Sequence, residues 1–199
     1  KVKEITNKGF TPKVSILIAM RNEENEVVRL VQNLQYQIYP TDKLELILVN
    51  DHSIDNTLKL LERSDLDNLQ VLDLPYVESG KKNAIKKAVS FADGDIILAS
   101  DADCSFNPYW VQTMVTYFAD DKVKLVSGPV TYYKQKGIFQ SLQALEFTSL
   151  IASGAGAIGS RNAIFCNGAI INECLEAAKL LEKNNLTCSV VNMHTIKPI

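Results

Sequence analysis

Two aspartates separated by one residue are the clearest candidates for chemistry in this sequence. Asp101 and Asp103 follow a strand predicted for residues 95–100. Carboxylate oxygens at this spacing suit Mg²⁺ or Mn²⁺, which take their remaining ligands from phosphate and water. The pair is equally compatible with a solvated turn that caps the next helix, so the Asp-x-Asp pattern alone leaves both interpretations open.

Three further charged residues stand where predicted elements meet. Asp51 can accept from the N–H of a pyrimidine base or from a ribose hydroxyl, or it can be a turn residue that caps a helix. Glu23 is open to the same two interpretations, because acids are favoured near helix N-termini. Lys81 and Lys82 open a helix, where the dipole disfavours a cation; either a phosphate partner or a solvated face is possible.

The elements that must position these residues alternate along the chain. Apolar runs predict strands, and each is followed by residues at helical spacing: the strands are 14–19, 44–49, 69–74 and 95–100. This alternation predicts an α/β fold with a mostly parallel sheet and helices on both faces. Ligands of such sheets bind beyond the carboxyl ends of the strands, where the polar residues fall.

Two of the predicted helices carry clear signals. One follows Asp55 as its cap, with Leu58 and Leu61 inward. The other follows Gly80 and ends before Gly94. Its predicted buried face comprises Ile85, Ala88, Val89 and Ala92.

Composition excludes several function classes. The formal net charge of −2 gives no broad basic field, so we expect no nucleic-acid partner. The four cysteines lack a Cys-x-x-Cys pair, which disfavours a zinc site and a disulfide framework and fits a reducing compartment. Phe147–Gly159, the most apolar long stretch, is too short to span a bilayer. We expect a cytoplasmic protein or one at the inner face of the membrane, and, since the sequence begins at Lys1, chain ends that are cut.

Four stretches together match one family pattern. They are the strand and Asn-Glu signature Val14–Glu24, the V-D-D-x-S-x-D-x-T-like Val49–Thr57, the G-K-x-x-A-L-like Gly80–Ile85, and Gly94–Asp103 with its terminal D-x-D. In this order and spacing they resemble the family 2 glycosyltransferases over about residues 12–169. Asn50 stands where the family often has a first aspartate.

The resemblance implies an A-type glycosyltransferase (GT-A) fold, Rossmann-like and truncated. It also implies a nucleotide-sugar donor, expected to be a UDP-sugar, transferred with inversion to the hydroxyl of a glycan or lipid-linked acceptor. Mg²⁺ or Mn²⁺ would be held by Asp103 with Asp101. The residues expected to bind the donor are Ala19, Arg21, Glu23, Asp51, Ser53, Lys81 and Asp101.

The family's catalytic base, usually in an acidic pair, has no counterpart after Ala169, where the acids are Glu173, Glu176 and Glu182. We therefore expect weak or no transfer by this chain, with the base unidentified. A nucleotidyltransferase is disfavoured because residues 20–25 lack the glycine-rich loop of that class. The remaining alternative is a non-catalytic nucleotide-binding domain or an engineered hybrid scaffold.

The tail has a resemblance of its own. From about residue 163 it resembles the C-terminal domain of transketolases, which suggests a chimera of a donor domain (1–169) and a tail (170–199). Parallel strands 163–166 and 188–193 are predicted, joined by a helix over 172–183 and packed on the sheet of the front part. Residues 135–160 are predicted to form an amphipathic helix that faces an acceptor groove or, in a parent protein associated peripherally with a membrane, the bilayer.

Overall fold

The computed structural model describes residues 9–123, 126, 128, 130, 137–159, 163–166 and 189–192 of the 199-residue chain. The chain divides into two compact units, Lys1–Val126 and Ser127–Ile199.

The first unit is built on a four-stranded sheet whose neighbouring strands are all parallel. The order is β3-β2-β1-β4, so β1 lies between β2 and β4. This confirms the predicted mostly parallel sheet, with shifts of one residue at some strand ends. The strands are β1 Val14–Met20, β2 Leu44–Asn50, β3 Leu69–Asp73 and β4 Ile96–Asp101.

Helices cover both faces of this sheet. They are α1 Val27–Gln35, α2 Thr57–Glu62, α3 Lys81–Phe91 and α4 Trp110–Thr116, with short 3₁₀ turns at Thr41–Lys43 and Tyr117–Ala119. Alternate β1 side chains serve the two cores, because successive residues of a strand point to opposite faces. Ile16 and Ile18 share a core with apolar residues of α1, α2 and α4, whereas Leu17 packs with α3.

The predicted buried face of α3 is partly wrong. Ala84 and Ala88 are completely buried and Ile85 and Ala92 pack at the margin of the same core, but Val89 is 46% exposed. Residues 84 and 88 lie four apart on one helical face, and their small side chains let the helix approach the strands closely. Val89 lies about 100° around the helix from Ala88, so it points towards solvent.

Gly94 precedes β4 at a place where only glycine fits. A Cβ atom there would lie 2.5 Å from the backbone nitrogen of Ser15. The Gly94 N–H donates to the Ser15 hydroxyl at 2.8 Å, which ties the start of β4 to β1. The requirement for glycine before this strand is therefore a packing requirement.

The second unit contains a long helix and a separate small sheet. Helix α5 spans Ile138–Gly159, in agreement with the helix predicted there, and strands β5 (Ala163–Cys166) and β6 (Ser189–Asn192) pair in parallel. The parallel pairing confirms the prediction for the tail strands. The predicted linking helix, 172–183, lies outside the described residues, and packing of the tail on the four-stranded sheet stays a prediction.

The first turns of α5 carry large apolar residues at helical spacing. Ile138, Leu142 and Leu145 lie on one side of the helix and are exposed, whereas Ala144 is buried. Within the described part of the chain, no helix has the length and apolar character needed to cross a membrane.

Candidate functional site

The strand order creates a crevice at the carboxyl end of the sheet. From β1 the chain proceeds to β2 and β3 on one side, and then crosses to place β4 on the other side of β1. Loops that follow β1 and β4 therefore diverge, and such a switch point is where open α/β sheets bind ligands. A cleft of about 340 Å³ opens here, lined by Ala19, Met20, Arg21, Glu23, Asp51, Lys81, Asp101, Ala102 and Asp103.

Seven of the eight residues singled out from the sequence line this cleft. The exception is Ser53, whose hydroxyl accepts the backbone N–H of Asn22 at 3.0 Å. The fold thus gathers residues from four separate stretches of the chain at one edge of the sheet.

Asp51 is a buried carboxylate with fixed partners. One oxygen accepts the Gly80 N–H at 2.9 Å and lies 3.8 Å from an Arg21 guanidinium nitrogen. The other lies 2.9 Å from Nδ1 of His52. An ionised carboxylate has about four acceptor positions, so Asp51 keeps capacity for a ligand N–H or hydroxyl. These contacts hold it in a single orientation before any ligand arrives.

Asp101 lies in a different environment. Its side chain is 57% exposed and forms an ion pair with Lys81, which is 61% exposed. Exposed pairs of this kind stabilise proteins by only about 0–1 kcal/mol. The Lys81 ammonium is therefore free to exchange Asp101 for another anion without a large loss of stability.

Asp103 and Glu23 create a negative field in the same cleft. Partial burial raises the pKa of Glu23 above its ordinary range, and the charges of Asp103, Glu26 and Asp55 raise it further. Arg29 donates to the Asp103 carbonyl oxygen at 2.8 Å and also bonds the Ser105 hydroxyl, which braces the Asp-x-Asp turn. The acid side chains repel one another here, and a cation would relieve that repulsion.

The carboxylates of the cleft would supply only part of the ligands that Mg²⁺ or Mn²⁺ needs. Among the described residues, no three His, Cys, Asp or Glu side chains converge as a metal site. Asp101 and Asp103 offer hard carboxylate oxygens, and ions of this type commonly use one or two carboxylates together with substrate phosphates. The residues therefore fit a metal that binds together with a phosphorylated ligand.

The loop after β1 is held by side chains that follow β2. Three consecutive backbone N–H groups, those of Asn22, Glu23 and Glu24, donate respectively to Ser53 Oγ at 3.0 Å, Thr57 Oγ1 at 2.8 Å and Asp55 Oδ2 at 3.1 Å. We call these three bonds the loop clamp. The three acceptors stand at alternate positions of the loop after β2, and the middle N–H bonds the last of them, Thr57.

Further bonds run in the opposite direction. Asn22 Oδ1 accepts the Ile54 N–H at 2.9 Å, and Glu24 Oε2 accepts the backbone N–H of Asn56 at 3.0 Å. Asn22 has a φ of 57°, in the left-handed region that few non-glycine residues adopt. Sequence reasoning missed the roles of Asn22, Asp55 and Thr57; the alternating Ser-x-Asp-x-Thr spacing was the available signal.

His52 lies beside the cleft with an unusual environment. Its φ is 55°, its ring centroid lies 5.5 Å from that of Tyr76, and its Nε2 is buried with no hydrogen-bond partner in the described part of the structure. Nδ1 contacts Asp51, so His52 supports the orientation of that carboxylate.

Comparison with known proteins decides the family. The Glycosyl transferase family 2 model matches residues 15–161, which is most of the chain. This chain belongs to glycosyltransferase family 2. The Transketolase, C-terminal domain model matches residues 157–199 of this family 2 chain, so the second resemblance is also confirmed.

Individual relatives agree with this assignment. The chain is 34% identical over 96 residues to "Probable glycosyltransferase YdaM" of Bacillus subtilis (46% of this chain, 23% of the relative). It is 33% identical over 121 residues to "Beta-monoglucosyldiacylglycerol synthase" of Nostoc sp. (59% and 26%). The chain therefore spans about a quarter of the length of these relatives.

Among solved structures, a mannosyltransferase, PcManGT from Pyrobaculum calidifontis, in complex with GDP-Man and Mn²⁺, is similar at a TM-score of 0.54 and 27% identity. The match covers 58% of this chain and 34% of that one. The parallel sheet and this neighbour together show the GT-A fold.

Proposed function

We propose that the front part of this chain is the donor-binding part of a glycosyltransferase that uses a nucleoside diphosphate sugar, expected to be a UDP-sugar. The observation that carries the proposal is the convergence of Asp51, Lys81, Asp101 and Asp103 in one cleft at the carboxyl end of the parallel sheet. The cleft offers one buried acceptor on one side, two exposed acids on the other, and a lysine that forms an ion pair with Asp101.

Each charge has a role in binding such a donor. Asp51 accepts from the nucleobase, with its orientation set by Gly80 and His52. Asp101 and Asp103 would hold Mg²⁺ or Mn²⁺, and the ion would supply Lewis-acid chemistry where negative charge builds on the departing diphosphate. Lys81 is placed to contact the diphosphate, because its exposed ion pair with Asp101 can be exchanged at little cost.

Support for a metal and a nucleotide comes from the PcManGT structure, which is a complex with GDP-Man and Mn²⁺. Support for a lipid-linked or glycan acceptor comes from the Nostoc relative, a beta-monoglucosyldiacylglycerol synthase. We propose transfer with inversion to a hydroxyl of such an acceptor, at the cytoplasmic face of the membrane.

Transfer by this chain alone is expected to be weak. Deprotonation of an acceptor hydroxyl by a general base contributes about 10²–10⁴-fold, and the sequence after Ala169 carries no adjacent acidic pair. Donor binding and metal dependence are therefore the properties that test the proposal most directly.

Calorimetric titration with UDP and with GDP, each with and without Mn²⁺, tests the proposal. We expect UDP to bind more tightly with Mn²⁺, and Asp103→Ala to reduce affinity in Mn²⁺ about tenfold or more, to the metal-free value, since a charge-assisted contact is lost. Asp65→Ala, which removes an exposed acid outside the cleft lining, is the matched control. UDP affinity that does not change when Mn²⁺ is chelated contradicts the metal assignment.

A further inference from the structure

The loop clamp joins the donor cleft to residues that do not line it. We propose that Ser53, Asp55 and Thr57 are positioning residues, which fix the loop after β1 in the conformation that binds the donor. This inference rests on the proposed function. It replaces the expectation that Ser53 contacts the nucleotide sugar with a role through the neighbouring backbone.

Thr57 is the centre of the arrangement. Its side chain is fully buried, and its hydroxyl accepts the Glu23 N–H at 2.8 Å while donating to Asp55 Oδ1 at 2.6 Å. The same Asp55 oxygen accepts the Thr57 backbone N–H at 2.9 Å, and the other carboxylate oxygen accepts the Glu24 N–H. Asp55 therefore fixes the direction of the Thr57 hydroxyl, and this hydroxyl in turn holds the backbone N–H of Glu23.

The clamped segment forms part of the cleft wall. Arg21 and Glu23 both line the cleft, on either side of Asn22 with its left-handed backbone. That conformation is unfavourable for a non-glycine residue unless its surroundings stabilise it. Here both the N–H and the Oδ1 of Asn22 are bound by the loop after β2.

The clamp therefore links two parts of the donor site. The loop after β1 carries Arg21, whose guanidinium lies 3.8 Å from Asp51. It also carries Glu23, whose pKa is raised by burial and by the charge of Asp103. A loop without these bonds would have to be ordered when the donor binds, and that ordering lowers affinity. A clamp that only supported folding would lower stability and leave the affinity of the folded protein unchanged.

Three variants of the full chain separate these roles. Thr57→Val keeps the shape of the side chain but removes its hydroxyl. Thr57→Ser keeps the hydroxyl and is the rescue variant. Thr116→Val is the matched control, because the Thr116 hydroxyl also donates a local bond, to the Gln112 carbonyl at 2.7 Å, in a helix outside the cleft lining.

The measurement is the Kd for UDP in Mn²⁺, by calorimetry, at a temperature where circular dichroism shows every variant folded. Thr57→Val is expected to bind UDP about tenfold more weakly, because the loop must then be ordered when UDP binds, and an ordering cost of about 1.4 kcal/mol corresponds to that factor. Thr57→Ser and Thr116→Val should stay within about twofold of the original chain.

Unchanged UDP affinity in folded Thr57→Val, or an equal loss in Thr116→Val, overturns the inference while leaving the proposed function intact. If the original chain binds neither UDP nor GDP, the proposed function fails first and the inference fails with it. Should Thr57→Val not fold, Ser53→Ala decides: its bond is exposed, a roughly threefold weaker Kd is expected, and no change overturns the inference.

Discussion

The two sides of the cleft differ in the burial of their acidic side chains and in the groups that contact them. On the β2 side, the Asp51 side chain is 6% exposed and is oriented by a backbone N–H and a histidine. On the β4 side, the Asp101 side chain is 57% exposed and contacts a lysine side chain that is equally exposed. The first side is formed in the free protein, and the second is neutralised by a flexible cation.

This difference indicates how such a site can bind its ligand in parts. A buried acceptor with fixed geometry discriminates between bases, because a ligand lacking the matching donor leaves it unpaired. Exposed acids paired with a lysine can exchange partners at low cost. Selectivity is therefore expected from the Asp51 side, and dependence on metal and salt from the Asp101 side.

The largest effect on UDP affinity is expected on the β2 side of the cleft, where Asp51 is buried and oriented by its neighbours. Asp51→Ala removes a charged acceptor and leaves the Gly80 N–H without its partner, so UDP affinity should fall about 10- to 100-fold. The loss should be similar with and without Mn²⁺, measured by calorimetry.

Asp73→Ala is the matched control for Asp51→Ala. Asp73 ends the neighbouring strand and accepts from Asn50 at 2.7 Å, outside the cleft lining. If Asp51→Ala weakens binding only when Mn²⁺ is present, Asp51 belongs to the metal side and the comparison fails.

The sequence predicted the site better on its acidic residues than on its supporting bonds. Apolar runs predict the strands that lead to Asp51 and Asp101, and the Asp-x-Asp spacing can be recognised in the sequence itself. The loop clamp is different, because it depends on the left-handed backbone of Asn22 and joins residues 31 to 34 positions apart. Periodicity carries no signal for such contacts, so the bonds of the loop clamp could not be predicted from the sequence.

The buried face of α3 could also be predicted only in part from the sequence. Apolar spacing placed Val89 on the buried face of α3, but the helix instead turns its two alanines to the sheet. Spacing alone defines a face only to within about one residue's rotation of 100°. Which small residues allow close approach depends on the strands opposite, here those carrying Leu17, Ile47 and Val49.

A smaller effect is expected when Lys81 is replaced: the affinity for Mn²⁺ alone should rise, and the affinity for UDP should fall. Lys81→Met removes the cation that occupies Asp101, so Mn²⁺ alone should bind about two- to fivefold more tightly, measured by the spin-resonance signal of free Mn²⁺. The same variant should bind UDP in Mn²⁺ more weakly, because a phosphate contact is lost.

Lys82→Met is the control for this variant, since Lys82 is the next residue of the helix and lies outside the cleft lining. Weaker binding of Mn²⁺ alone by Lys81→Met would show that the lysine does not compete with the metal. It would also remove the argument that the β4 side exchanges partners.

The smallest effect concerns the pH dependence of stability at Glu23. Burial and the charge of Asp103 raise its folded pKa, so the native state binds more protons than the unfolded chain between the ordinary glutamate pKa and the raised value. Stability contributed by this group is therefore present below the ordinary pKa and is lost as pH rises through the folded pKa. Glu23→Gln should abolish this loss, giving a slightly higher Tm than the original chain at neutral pH and no difference in acid. Saturating Mn²⁺ should reduce the neutral-pH difference, because the cation offsets Asp103, while the part due to burial persists. An undiminished difference in Mn²⁺ would mean that the charge of Asp103 does not contribute to the raised pKa of Glu23.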